Sequence, residues 1–256
     1  MEGAARVFAG EYNSSTLQVP GEGDRSASWV VTPGGLWCRL IYIAGVLTEI
    51  EETCDLTRCR VADPTGGFDI VLHGTGTPCA EALKKIPVPS FVTVTGHARM
   101  FRKNNNVILT VSPDIVMPTD RAVRDQWILT TAEATLKRLE QLHLAMLNRC
   151  TEERFRTAQQ YYCTTPAKIQ ELAAMVESAV LAICPPEGEV PARPEARSLV
   201  VDLIQSNNGP RGVAVEEIIR QAAGHGVSQE AVLKAVESLI LDDECYQPQK
   251  GFVKLL

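Results

Sequence analysis

A chain of 256 residues, 45% of them hydrophobic and 22% charged, holds enough apolar material for two small domains, each with its own core. The formal charge of -6, from 25 basic and 31 acidic residues, excludes indiscriminate polyanion binding and restricts any nucleic-acid site to a local basic patch. No basic start precedes an apolar segment and no stretch reaches the ~20 apolar residues of a membrane span, so a soluble cytoplasmic protein with no membrane contact is expected.

From residue 36 to 118 the chain reads as strand, in runs at 36–52, 56–62, 68–72, 90–102 and 107–117. The first run is long and carries Gly45 at its middle, where a missing side chain lets a strand bend around a small barrel. Runs two and three flank Asp63, Pro64, Thr65 and Gly66, the composition of a tight type I reversal. With those four as the loop, Val61 faces Phe68, Arg60 faces Asp69 and Cys59 faces Ile70. Alternation then puts Cys59, Val61, Phe68 and Ile70 on one face and Arg58, Arg60 and Asp69 on the other. Helix formers at 78–86 follow a helix-compatible Pro78. Five strands with a helix between the third and fourth is the order of an oligonucleotide-binding (OB) barrel, although a generic small β-barrel fits the same pattern.

Thr119 offers a cap to a helix running to about Arg149, along which Leu129, Ala132, Leu136, Leu139, His143 and Met146 form a heptad-like seam. A second helix at 165–183 repeats the spacing with Ile169, Leu172, Val176, Ala179 and Ile183. The two seams either close on each other as a helical hairpin or face another subunit. Four prolines in residues 184–195 mark a linker. Beyond it, three helices and a β-hairpin have the order of a winged helix-turn-helix. Lys234 on the last helix is outnumbered by Glu230, Glu237, Asp242, Asp243 and Glu244, which favours protein docking over insertion into a DNA groove. The expected fold class is therefore α+β and multidomain: a five-stranded OB barrel within residues 1–118, a helical assembly segment at 119–183, the linker at 184–195 and a winged helix at 196–256.

Nothing in the chain suggests an enzyme. His73, His97, His143 and His225 lie in separate segments, and the eight cysteines (38, 54, 59, 79, 150, 163, 184 and 245) include no Cys-x-x-Cys pair. They read as free thiols, with no metal and no cofactor expected. Single-stranded nucleic acid requires cations and flat side chains together. Arg99, Phe101, Arg102 and Lys103 supply both where the fourth strand enters the turn of Asn104, Asn105 and Asn106. Arg58 and Arg60 are secondary candidates. A solvated exterior of mixed charge accounts for the same residues, because Asp69 opposes Arg60 and Glu49, Glu51, Glu52 and Asp55 are acidic neighbours. The subunit-interface candidates are Leu129, Leu136, Leu139, His143 and Met146.

The segments RVFAGEYNSST (Arg6 to Thr16), VVTPGGLWCRLIYIAGVLTEIE (Val30 to Glu51), RVADPTGGF (Arg60 to Phe68) and VVDLI (Val200 to Ile204) resemble the archaeal replication protein A-associated proteins. More distantly, the chain is similar to the middle subunit of eukaryotic replication protein A. The resemblance implies an accessory subunit, nucleoid-associated, that joins a larger OB-domain subunit on single-stranded DNA in replication, repair and recombination. It also implies a helix after the barrel that assembles the complex and a winged helix that recruits repair or replication proteins. Arg60, Asp63, Pro64, Thr65, Gly66 and Phe68 match as structural residues. Helix 165–183 is additional to that plan, and no Ser/Gly-rich amino-terminal tail is present. Two alternatives stay open: an adaptor that binds no nucleic acid, and a winged-helix regulator of duplex DNA.

Overall fold

In the computed structural model the chain starts with a short helix, α1 (Ala9–Asn13), and three short strands, β1 (Leu17–Val19), β2 (Trp29–Val31) and β3 (Trp37–Cys38), paired as a sheet in that order. The described residues are 3–21, 28–53, 55–74, 77–104, 106–183, 194–207, 209 and 212–256. Two compact units are distinguished, Met1–Asp63 with Gly67–Glu177, and Pro64–Gly66 with Ser178–Leu256.

The first unit is built on a closed barrel of β4 (Leu40–Glu52), β5 (Leu56–Asp63), β6 (Gly66–His73), β7 (Ser90–Lys103) and β8 (Asn106–Pro118), in the order β4-β5-β6-β8-β7. A helix, α2 (Pro78–Leu83), lies between the third and fourth barrel strands, and this is the OB arrangement. Thr77 caps α2 through its hydroxyl, which accepts from the Ala80 amide at 3.2 Å. Strand β4 pairs with β7 over Leu40–Leu47 and with β5 over Val46–Glu52, so the switch between neighbours falls at Val46 and Leu47, directly after Gly45. A Cβ on Gly45 would strike the Ala62 carbonyl, which explains why the bend needs glycine.

Cys59, Val61, Phe68 and Ile70 all point into the barrel core, as strand alternation predicts. Asp63 does more than start its turn. Its carboxylate accepts the Ala9 amide at 2.7 Å and so caps α1, whose own N-cap residue, Phe8, contributes no side-chain bond. Tyr12 packs 5.7 Å from Phe68 and donates its hydroxyl to the Thr110 carbonyl at 2.8 Å; burial pushes its phenol well above the ordinary range. The amino-terminal segment thereby becomes part of the barrel, with Ala5 bridging to Ile41.

A long helix, α3 (Arg121–Met146), leans on this assembly. Its cap is Asp120, which accepts from the Val123 amide at 2.9 Å, in place of the expected Thr119. Trp127 stacks edge-on against Phe8 at 5.7 Å and donates its indole N–H to the Tyr42 carbonyl at 2.8 Å. The buried face of α3 runs through Trp127, Ile128, Thr131, Ala132, Thr135, Leu139, Leu142 and Ala145. The predicted seam is thus divided. Ala132 and Leu139 are inside, while Leu129 and Leu136 are 41% and 45% exposed. A helix lying on a barrel buries a broader and rotated stripe than a two-helix seam, and polar threonines with short hydroxyls can occupy it.

Helix α4 (Glu153–Tyr161) was not anticipated, because Phe155 and Ala158 are its only buried residues and set no visible period. These two pack with Val31, Leu142, Ala145 and Cys150. Helix α5 (Pro166–Leu181) follows, with Leu172, Val176 and Ala179 buried.

The second unit contains α6 (Pro194–Ser206), β9 (Val213–Ala214), α7 (Val215–Ala223), α8 (Gln229–Leu241), β10 (Cys245–Gln249) and β11 (Phe252–Leu255), with the strands in the order β10-β11-β9. Its core includes Val200, Ile204, Ile218, Val232, Leu239 and Val253. Ser228 caps α8 by accepting the Ala231 amide at 3.3 Å. Arg197 ties α6 to the end of α8 through Ser238, Asp242 and Glu244, at 2.6, 2.5 and 2.7 Å. Of the predicted linker, residues 184–193 lie outside the described residues.

Candidate nucleic-acid interface

Strand register sorts the predicted nucleic-acid residues into three groups. On the outer face of the β5/β6 hairpin, Arg58 faces Glu51 and Arg60 faces Glu49 on the neighbouring β4. Arg58 also donates to Asp69 at 3.0 Å, and Arg60 lies 3.7 Å from the same carboxylate. Arg60 is draped over Gly67, where an added Cβ would come within 2.5 Å of its Nε. Three carboxylates against two guanidinium groups give this surface little net field for a phosphate.

The β7/β8 arm differs. Arg99, Phe101 and Lys103 alternate outward, and the residues facing them on β8 are Thr110, Ile108 and Asn106, none of which is acidic. Phe101 is 52% exposed and its neighbour Ile108 43% exposed, so a flat apolar step sits between two cations. Arg102 does not belong to this group. Alternation turns it to the opposite face, where it donates to the Thr16 carbonyl at 2.7 Å beside the Tyr161 hydroxyl, which binds the same oxygen.

The balanced hairpin and the cationic arm share one wall. Ile70, Val111 and Ala98 align across β6, β8 and β7. Their outward neighbours are therefore Asp69 and Val71 on β6, Thr110 and Ser112 on β8, and Arg99 and His97 on β7. At ~4.8 Å per strand, β6 and β7 stand about 10 Å apart on this wall.

Three residues next to the arm escaped sequence reasoning. The Ala98 amide donates to the Arg39 carbonyl at 2.8 Å, which brings the β3/β4 junction against β7. Here the Arg39 guanidinium lies 4.0 Å over the ring of Trp29, and Trp29 and Trp37 stand 6.3 Å apart at 59°. The run at 36–52 reads as one strand, but the chain breaks between β3 and β4 at Arg39. Two tryptophans around an arginine, in a chain only 5% aromatic, were the available signal.

Of the interface candidates on α3, Leu129, Leu136 and His143 face outward and Met146 is half-buried. Leu139 is 4% exposed and is covered by its own chain, so it cannot present itself to a partner. Among the described residues no group of three His, Cys, Asp or Glu side chains is placed to hold a metal, and no helix is long and apolar enough to cross a membrane.

These elements define an OB-fold chain with an appended three-helix and hairpin unit. No family model and no curated protein matches it. Among solved structures it is similar to a chain of a replication protein A heterotrimer bound to ssDNA, with 16% identity and a TM-score of 0.40, over 54% of this chain and 98% of that one. It is also similar to a chain of the Stn1-Ten1 complex of S. pombe, with 12% identity and a TM-score of 0.43, over 52% and 91%. A third likeness is to the mitochondrial single-stranded DNA binding protein Rim1 of S. cerevisiae, with 16% identity and a TM-score of 0.28, over 32% and 94%.

Proposed function

We propose that this protein is a non-enzymatic accessory subunit of an archaeal replication protein A-type complex, which contributes a single-stranded-DNA contact through its barrel. The observation that carries the reading is the β7/β8 arm, where Arg99, Phe101 and Lys103 stand together on one face with no acidic residue opposite them. Cations there meet phosphates and the Phe101 ring offers a platform to a base, the two requirements of sequence-tolerant single-strand binding. The sequence resemblance supplies the archaeal and complex-subunit parts of the proposal.

On this reading Leu129, Leu136, His143 and Met146 meet a larger OB-domain subunit. The second unit acts as a winged helix that docks repair or replication proteins. Its order of helix, strand, helix, helix and hairpin, with β11 between β10 and β9, supports that assignment. The deciding experiment is oligonucleotide binding by the reconstituted complex carrying Arg99→Ala with Phe101→Ala. Loss of affinity is expected; unchanged affinity would transfer the function to the second reading. That reading is an adaptor with no nucleic-acid contact, and the charge-balanced hairpin of Arg58, Arg60 and Asp69 favours it.

A further inference from the structure

We infer that Trp29, Trp37, Arg39 and His97 form a subsite for a single unpaired nucleobase, an extension of the single-strand interface on which the inference rests. The four residues line an open groove of about 330 Å³. That volume is at the small end of the ~300–1,000 Å³ of ligand pockets, suited to one flat group and not to a run of them.

The walls are aromatic and cationic. Arg39 lies 4.0 Å over the Trp29 ring, and the Trp29 and Trp37 rings stand 6.3 Å apart, tilted by 59° to one another. Two of the parts are tethered. Trp37 donates its N–H to the Arg154 carbonyl at 3.3 Å, and the backbone of Arg39 is tied to Ala98. Such a preset arrangement costs little side-chain entropy when a ring enters, and stacking on an aromatic face contributes ~1–3 kcal/mol per base. Among the described residues Asp114 lies 3.3 Å from His97, on the histidine side of the groove.

Position favours a nucleobase over a peptide side chain. His97, Arg99 and Phe101 occupy alternate positions on one face of β7, each ~7 Å from the next. A strand crossing this face can therefore place one base in the groove, a phosphate on Arg99 and a further base on Phe101.

Tryptophan fluorescence reads the groove directly, since Trp127 is 2% exposed with its N–H bonded and serves as an internal reference. The full chain is titrated with a thymidine 15-mer and with the same oligomer made abasic. Base-dependent quenching is expected, and Trp29→Leu should lower affinity for the thymidine oligomer about 10-fold while leaving the abasic oligomer unchanged. Trp29→Phe, which keeps a ring, should restore most of the loss. Photocrosslinking of a bromodeoxyuridine oligomer to the unmodified chain, mapped by peptide mass, should mark Trp29 or Trp37 and needs no variant to fold. Crosslinks confined to Phe101, or quenching equal for both oligomers, would overturn the subsite and leave the barrel interface standing. Absence of any oligonucleotide binding by the unmodified chain would overturn both.

Discussion

The backbone amide of Ala9 and the carboxylate of Asp63 meet at 2.7 Å across 54 residues of sequence, out of solvent. This bond converts a hairpin turn into an anchor for the amino-terminal helix. Asp63→Ala strands a buried donor and should cost ~1–3 kcal/mol. The readout is a lower thermal midpoint, with oligonucleotide affinity of the folded protein unchanged at low temperature. An equal midpoint would show that α1 contributes nothing to barrel stability.

A second long-range tie should cost more to break. Glu11, fully buried, accepts Arg138 at 2.7 Å and the Thr32 hydroxyl at 2.5 Å. Removing one charge leaves the other uncompensated inside the protein, at ~3–5 kcal/mol. Arg138→Met alone should therefore destabilise strongly to urea, while Arg138→Met with Glu11→Gln should recover much of the loss. Additive losses in the two single variants and the double variant would refute the coupling.

These ties also show where sequence reading stops. The barrel strands were legible because inward residues such as Cys59, Val61, Phe68 and Ile70 alternate with polar ones, and period two survives without knowledge of partners. The arm of Arg99, Phe101 and Lys103 was legible for the same reason, although grouping Arg102 with it ignored alternation. What could not be read were pairings between distant segments. Asp63 belongs to Ala9, Glu11 to Arg138, and the Arg39 backbone to Ala98. Nothing local marks these partners, and Arg39 was further hidden inside an apparently continuous strand.

Division of the α3 seam changes the assembly test. Leu129 and Leu136, seven residues apart, stay exposed on one face, whereas Leu139 is buried. Leu129→Asp with Leu136→Asp should leave the isolated chain as stable as before and abolish co-purification with a partner subunit. Leu139→Asp should instead unfold the helix from the barrel, since it buries an unpaired charge. Retention of the partner by the soluble double variant would remove this face from the interface.

The thiols give a pH-dependent test of the core. Burial pushes Cys38 and Cys59 up to about 12, and Cys245 likewise, from an ordinary value of 9.0. A folded-state value raised above the unfolded one means that stability is fully present below about 9 and is lost as pH rises toward 12. Urea midpoints should be flat from pH 7 to 8.5 and fall above that. In native protein at pH 8, a thiol reagent should modify the exposed Cys163 and spare these three. Rapid modification of Cys38 or Cys59 without unfolding would contradict the packed barrel.

Salt dependence separates contact from stability at the proposed DNA face. If Arg99 and Lys103 each neutralise a phosphate of a single strand, replacing either by Ala should reduce the slope of log affinity against log salt by ~0.7. Phe101→Ala should lower affinity at every salt concentration without changing the slope, because stacking releases no counterion. Arg102→Ala should act differently again. Its guanidinium holds the Thr16 carbonyl, so the loss should appear in thermal stability and not in the salt slope. Arg58→Ala should leave the slope nearly unchanged, since Asp69 and Glu51 already neutralise that side chain. A reduced slope for Arg58 with none for Arg99 would reverse the assignment and move the DNA path from the β7/β8 arm to the β5/β6 hairpin.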